Sequence, residues 1–482
     1  MSIPAVGNLL DASCATYVQV VTTTSADPAA SSSSSGVAPS KSESKSKAAG
    51  SQWGRAEAVS WANSLACIFL LAATPTSAFW TYAACAHYKC ALSGPIYDEH
   101  LTWDKVFPAP TLKGALVYVG WLVFQGLLYA FLPGKIGYGQ RTPAGYLLPY
   151  KVNGLFAWTI THVAFVFGSF YLGIFPASII ADLWGPLLIA ANAYGYILSI
   201  FSYVKAWYFP SHPEDCKFSG SIPCDIFMGI EFNPRFGEMW DFKQFHNGRP
   251  GIIAWTLIDI SFAAAQYNEY GYVTNSMILL NILHMIYVVD FFYNEDWYLR
   301  TIDIAHDHFG FYLGWGDIVW LPWMYTLQAH YLLRNPISLS TAWFAFLLGM
   351  GLLGYGILRS ANHQKDVVRR TDGQCAVWGK PARVIRTKYT TGDGEVHTSL
   401  LLASGFWGLA HQFNYVGDLL LSTAECLLCG AAHPLPYFYI AWMTALLLHR
   451  ISRSEKRCQA KYGKYWDEYN KIVPWKLCPY VY

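Results

Sequence analysis

Long apolar runs separated by short polar or Gly/Pro-containing breaks dominate the chain beyond about residue 58. Runs near 58–86, 112–132, 153–175, 177–208, 250–268, 272–293, 315–334, 338–359, 398–424 and 433–449 approach the roughly 20 mostly apolar residues that a helix needs to cross a bilayer. The pattern predicts an all-α polytopic membrane protein of about ten transmembrane helices. Pro133-Gly134 and the stretch from Gly173 to Pro176 mark breaks between them. Loops 209–249, 294–314 and 360–397 are too long and polar for tight turns. The first two are predicted to dip back into the protein, where irregular backbone is tolerated if protein covers it. No internal repeat is visible, which disfavours a transporter built on inverted repeats.

Composition supports the membrane reading. The 482 residues are 54% hydrophobic and only 13% charged, about half the charge of an average soluble domain. A net charge of +2 gives no reason to expect nucleic acid as a partner. Residues 1–52 are low in complexity, with a serine run from Ser31 to Ser35, and are predicted to form a disordered tail. Lys41, Lys45, Lys47 and Arg55 precede the first apolar run, so positive-inside bias places the tail in the cytosol. Residues 361–395 carry seven Lys or Arg against four Asp or Glu, and residues 450–482 carry eight against three. Both segments are predicted to face the cytosol beside the tail. The eleven cysteines are scattered and imply no disulfide framework. Cys426-Leu-Leu-Cys429 has CxxC spacing, but an apolar helix is a poor zinc site, and no metal is expected.

Three polar clusters stand out against this background. Lys365 and Arg369 share a helix face if the 338–359 helix continues, and Arg370 adjoins them. Such a trio can grip a pyrophosphate, and it equally suits anchoring to anionic lipid headgroups. Between residues 405 and 418, Trp407 offers a stacking plane, Asn414 an amide, Tyr415 a hydroxyl and Asp418 a carboxylate, with glycines at 405, 408 and 417. That set suits a nicotinamide ribonucleoside; interfacial aromatics with helix-packing glycines are the alternative. No GxGxxG follows a strand, so a Rossmann cofactor fold is excluded. In mid-chain, Asp259, Tyr287, Asp290, Glu295, Asp303, His306, Asp307, His308 and Asp317 lie in apolar context. His306 and His308 diverge on a helix, and a hydrogen-bonded network lining a cavity fits this group better than a metal.

Two further motifs carry a resemblance. One is Asp225-Ile-Phe-Met-Gly229-Ile-Glu-Phe-Asn233-Pro234-Arg235; the other runs from His449-Arg450 through Arg453, Cys458, Lys461-Tyr462-Gly463 and Trp466 to Tyr469. With them the chain resembles the integral-membrane sterol reductase family over most of its length after about residue 90. The segments Val288–Glu295, Asp303–Gly310 and Leu313–Asp317 are most similar to members acting at carbon 7. Reduction at carbon 14 or in the side chain is the main rival. The resemblance implies a ten-helix endoplasmic-reticulum enzyme with a cytosol-facing NADPH pocket in its C-terminal part. It divides the chain into the 1–52 tail, N-terminal helices and polar loop over 53–248, and a sterol- and NADPH-binding region over 249–482. By motif, Lys365, Arg369, Trp407, Asn414, Tyr415, Arg450, Tyr462 and Tyr469 would line the cofactor site, with Arg370 and Asp418 beside them. Tyr287 matches a family tyrosine proposed as the acid beside the sterol, and Asp290, Glu295 or Asp317 would relay its proton. Implied partners are the sterol, membrane lipids and, as a candidate, a sterol isomerase.

The chain departs from the family pattern twice. His411 stands where an arginine is usual, and Ser454 where an aspartate follows Arg453. If the two positions are neighbours, they lost opposite charges together, since losing one would leave an unpaired buried charge costing roughly 3–5 kcal/mol. The missing aspartate also admits a catalytically weak sterol-binding or scaffold protein. A membrane methyltransferase with a similar C-terminal region is a third reading, against which the Asn233-Pro234-Arg235 motif argues.

Overall fold

A computed structural model describes residues 59–142, 144–390 and 396–482. The 1–52 tail lies outside the described residues. The principal helices are α1 (Trp61–His87), α2 (Leu112–Phe131), α3 (Gly154–Val166, prolonged by a π turn to Tyr171) and α4 (Trp184–Tyr208). They continue with α5 (Pro250–Tyr270), α6 (Asn275–Tyr293), α7 (Leu327–Arg334), α8 (Thr341–Arg370), α9 (Asn414–Leu427), α10 (Phe438–Tyr462) and α11 (Lys464–Ile472). The hydroxyls of Ser60, Thr111, Thr274 and Ser340 each accept an N–H of the first turn and so fix where α1, α2, α6 and α8 begin. Among the described residues six helices are long and apolar enough to cross a membrane: α1, α2, α3 with its π turn, α4, α6 and α8. Phe69, Leu116, Val163, Ile197 and Leu353 stand exposed on them, an outer face suited to lipid.

Two predicted spans are built differently. Over 315–334, Pro322 and a π turn (Gly316–Trp320) break the run into short helices, nearly all buried in protein. The 398–424 run is not one helix. Its start belongs to a strand, Val396–Leu402, paired antiparallel with Val384–Thr390; Gly405, at φ 62°, then turns the chain into α9 through the short helix Phe406–Leu409. A short apolar stretch suits strand or helix equally by hydropathy. The all-α reading is thus amended by a hairpin, strands β1 (Val384–Thr390) and β2 (Val396–Leu402), that packs on α10 and α11. Cysteine usage also differs from expectation: Cys85, in the last turn of α1, pairs with Cys90 just past it. Cys426 and Cys429 are buried free thiols, as expected.

The polar loops fold into the protein, as predicted. Lys205 pairs with Glu231 at 2.9 Å and Arg235 with Asp241 at 3.0 Å, all four buried. Lys243, pushed down to about 7 by burial, donates to the carbonyls of Ile304 and Asp307 at 2.8 and 2.7 Å and so holds the 303–307 loop. Even the neutral amine keeps two N–H groups for these bonds.

Helices α8 and α9 cross with their backbones in contact. A Cβ on Gly354 would lie 2.5 Å from the carbonyl of Gly417, and one on Gly417 would lie 2.4 Å from that of Gly354. Backbones meet because neither residue has a side chain. This crossing brings the basic end of α8 to the start of α9. Gly417→Ala should therefore cost at least about 1–3 kcal/mol, read as a lower melting temperature of the detergent-solubilised protein. An unchanged melting temperature would contradict the close crossing.

Candidate active site

The C-terminal end of α8, the loop before α9, β2 and α11 enclose a cleft lined by Lys365, Arg369, Leu401, Trp407, Gln412 and Tyr469, among others. Trp407 is fixed on three sides. Its indole N–H donates to the Ala361 carbonyl at 2.7 Å, Lys365 Nζ sits 3.7 Å over its ring, and the Tyr469 hydroxyl donates to its carbonyl at 2.9 Å. Burial holds the Tyr469 phenol well above its usual range, so it stays a donor. Tyr462 reaches Ser399 Oγ at 3.5 Å and packs edge-on against Tyr389, beneath the hairpin. Lys365 and Arg369 share the cleft face, as their spacing predicts. Arg370 does not join them: it is exposed and paired with Asp366 one turn back.

Asn414 opens α9 fully buried, and neither its amide oxygen nor its nitrogen has a hydrogen-bond partner. The same holds for Asn362, three residues before Lys365, and for both carboxylate oxygens of Asp418. Leaving a buried polar atom unpaired costs about 1–3 kcal/mol, so these atoms mark where a polar ligand belongs. Arg450 donates to both oxygens of Asp303 at 3.1 and 3.3 Å, and Arg453 to Asp307 at 2.9 Å. Two loop carboxylates are thereby clamped to one face of α10. Burial, and then Asp307 beside it, push the Asp303 carboxyl up, while Arg450 opposes the shift.

Deeper in the bundle lies a packed aromatic cluster. Trp255 packs 5.7 Å from Tyr287 and 5.4 Å from Tyr325, and Tyr325 lies 5.0 Å from Tyr439, ring centre to ring centre. Asp317, Asp418 and Arg450 lie within electrostatic reach of Tyr325, and Asp418 within reach of Tyr287. Asp317 is fully buried with neither oxygen paired. Of the four predicted catalytic residues, the structure brings Tyr287 and Asp317 to this cluster. Asp290, one turn along α6 from Tyr287 and within electrostatic reach of it, is held by Arg359 and the Tyr355 hydroxyl, both at 2.9 Å. Glu295 is committed to a fully buried ion pair with Arg249, and it also accepts the Gly154 N–H at 2.6 Å.

Neither departure from the family pattern leaves a gap. His411 presents Nδ1 to Glu455 at 2.8 Å and Nε2 to the Val473 carbonyl at 2.7 Å. The acid facing residue 411 is therefore Glu455 and not its neighbour at 454, which replaces the idea of a paired loss. Ser454 lies buried on α10, one turn from Arg450. Sequence reasoning missed Asn362, Gln412, His284 and Glu425. The first is betrayed by its spacing from Lys365 and Arg369; the last two are single polar residues inside apolar runs.

A cleft with orphaned amides, a basic helix end and a carboxylate-flanked aromatic cluster within membrane-spanning helices define a membrane enzyme with adjoining polar and apolar sites. The chain belongs to the ergosterol biosynthesis ERG4/ERG24 family, whose model matches residues 68–482. It is 51% identical over 446 residues to 7-dehydrocholesterol reductase of Xenopus laevis, covering 89% of this chain and 94% of that one. The Danio rerio protein of the same name is 50% identical over 449 residues, with the same coverage. A Delta(14)-sterol reductase of Methylotuvimicrobium alcaliphilum is 38% identical over 422 residues, 86% of this chain and 94% of the relative. The protein is a membrane sterol reductase.

Proposed function

We propose that the protein reduces the 7,8 double bond of 5,7-diene sterols with NADPH, in the endoplasmic-reticulum membrane with its N-terminal tail in the cytosol. The observation that carries this reading is the set of buried, unpartnered polar atoms on Asn362, Asn414 and Asp418, running from the Lys365–Arg369 cleft to the aromatic cluster around Tyr287. These residues fit a nicotinamide dinucleotide. Lys365 and Arg369 would take its phosphates, Trp407 would support a ring on the face Lys365 leaves open, and Asn414 would bond the nicotinamide end. When bound, it supplies hydride. The 50–51% identity to the Xenopus and Danio 7-dehydrocholesterol reductases, against 38% to the Delta(14)-sterol reductase, favours the 7,8 bond.

An isolated sterol double bond accepts hydride poorly, so the chain must deliver a proton as hydride arrives. Tyr287 stands ready to protonate carbon 8, which leaves an allylic cation shared between carbons 7 and 5. The Asp317 carboxylate near Tyr325 can stabilise that charge where protein excludes water. The sterol would enter from the bilayer.

Arg369→Ala should raise the KM for NADPH far more than that for NADH, because Arg369 would meet the extra 2′-phosphate. Equal effects on both would remove it from that role. The direct test is turnover: purified protein given NADPH and 7-dehydrocholesterol, with a 14-diene sterol in parallel, should lose only the 7,8 double bond. No product from well-folded protein that binds sterol would favour the scaffold reading that Ser454 raises.

A further inference from the structure

The proton used at the sterol must be replaced at every turnover, and the mechanism above leaves one buried cluster unused. His284 on α6 lies between two carboxylates from neighbouring helices. Its Nδ1 is 2.8 Å from Asp259 of α5, and its Nε2 is 3.8 Å from Glu425 of α9. All three residues are at most 2% exposed. Asp259 Oδ1, His284 Nε2 and Glu425 Oε2 have no hydrogen-bond partner. Three ionisable groups inside a membrane bundle are costly to keep, and an apolar trio would join the helices more cheaply. The trio also adjoins the aromatic cluster. The Trp255 indole N–H reaches His284 Nδ1 at 3.0 Å while its ring packs against Tyr287. Glu425 stands two turns along α9 from Asp418, on the same face, and Asp418 acts on Tyr287.

We infer that Asp259, His284 and Glu425 form an internal proton relay that restores the acid beside the sterol. The inference rests on the reductase reading above. The two electrons arrive with the hydride, so the protein supplies one proton per turnover. The Tyr287 O–H bond breaks as a C–H bond forms at the sterol, leaving a phenolate. The phenolate takes a proton from the Asp418 carboxyl, which is refilled from the Glu425 carboxyl by way of the Ser422 and Tyr439 hydroxyls, Tyr439 being within electrostatic reach of both acids. His284 returns a proton to Glu425 from Nε2 as Nδ1 takes one from Asp259, and a flip of the neutral ring then carries that proton back to the Glu425 side for the next turnover. A proton from solvent restores Asp259. Asp259, His284 and Glu425 touch no reacting atom in this scheme; they act through Asp418 and Tyr287.

The test is steady-state turnover of purified Glu425→Gln and His284→Gln in ordinary and heavy water. Melting temperatures and both KM values are measured alongside. Glu425→Gln keeps the shape of the side chain and cannot pass a carboxyl proton. We expect kcat to fall by about tenfold or more, the solvent isotope effect on kcat to rise, and both KM values to stay put. Turnover within about twofold of wild type would overturn the relay. So would a fall in kcat that tracks a lower melting temperature with an unaltered isotope effect, because that is the behaviour of a structural staple. If His284→Gln does not fold, Glu425→Gln carries the test alone. Wild-type protein that reduces no sterol would overturn the reductase reading and the relay with it, whereas active wild type with a normal Glu425→Gln would overturn the relay only.

Discussion

Tyr287→Phe is expected to lower kcat for sterol reduction by roughly 10²–10⁴-fold, the range that a positioned general acid contributes. The substitution removes one oxygen and keeps the ring, so the contacts of Tyr287 with Trp255 are preserved. NADPH affinity should not change, because the cleft of Lys365, Arg369 and Trp407 is built from other elements. A phenol is a weak acid, with an ordinary pKa near 10, which is why the carboxylates around it matter to the account. Steady-state kinetics with a separate NADPH binding measurement checks the prediction. Full turnover by Tyr287→Phe would transfer the acid role to Asp317 or Asp418.

Glu295→Ala should act on the fold instead. Its carboxylate is fully buried, pairs with an equally buried Arg249, and accepts from the Gly154 N–H and from Gln244 Nε2 at 3.3 Å. Arg249 also donates to Asn153 at 3.0 Å, so this knot ties the start of α3, the start of α5 and the loop after α6 together. Removing Glu295 leaves a guanidinium buried without its counter-charge, at a cost of about 3–5 kcal/mol. A steep drop in the melting temperature of the solubilised protein is the expected result. Removing both partners with Arg249→Met/Glu295→Met should cost less than Glu295→Ala alone, because no lone charge remains. A Glu295→Ala protein with normal melting but no turnover would return Glu295 to the catalytic set.

The sequence made most of the long helices legible because lipid demands unbroken apolar length, which hydropathy measures directly. It was silent where protein takes the place of lipid. Over 315–334 a run of similar hydropathy is buried among neighbours, and so tolerates Pro322 and a π turn. At 398–402 the run is a strand because its partner, Val384–Thr390, lies in a segment whose charge suggests a loop. The cleft at the end of α8 was largely readable, since Lys365 and Arg369 follow helical spacing and Trp407 and Tyr469 stand in recognisable motifs. Arg370 was not, because only the structure shows it turned toward Asp366. Asp290 and Glu295 carry the same kind of charge in the same kind of context as Asp317. What separates them is an arginine from a distant part of the chain, Arg359 for one and Arg249 for the other.

The central claim is that the bound sterol receives hydride at carbon 7 on one side and a solvent-derived proton at carbon 8. Purified protein should be given 7-dehydrocholesterol and NADPH carrying deuterium at its transferable position, with the product read by mass spectrometry and NMR. The account predicts a product without the 7,8 double bond that carries a single deuterium, placed at carbon 7. Deuterium at any other carbon, or conversion of a 14-diene sterol while 7-dehydrocholesterol is left intact, would contradict it.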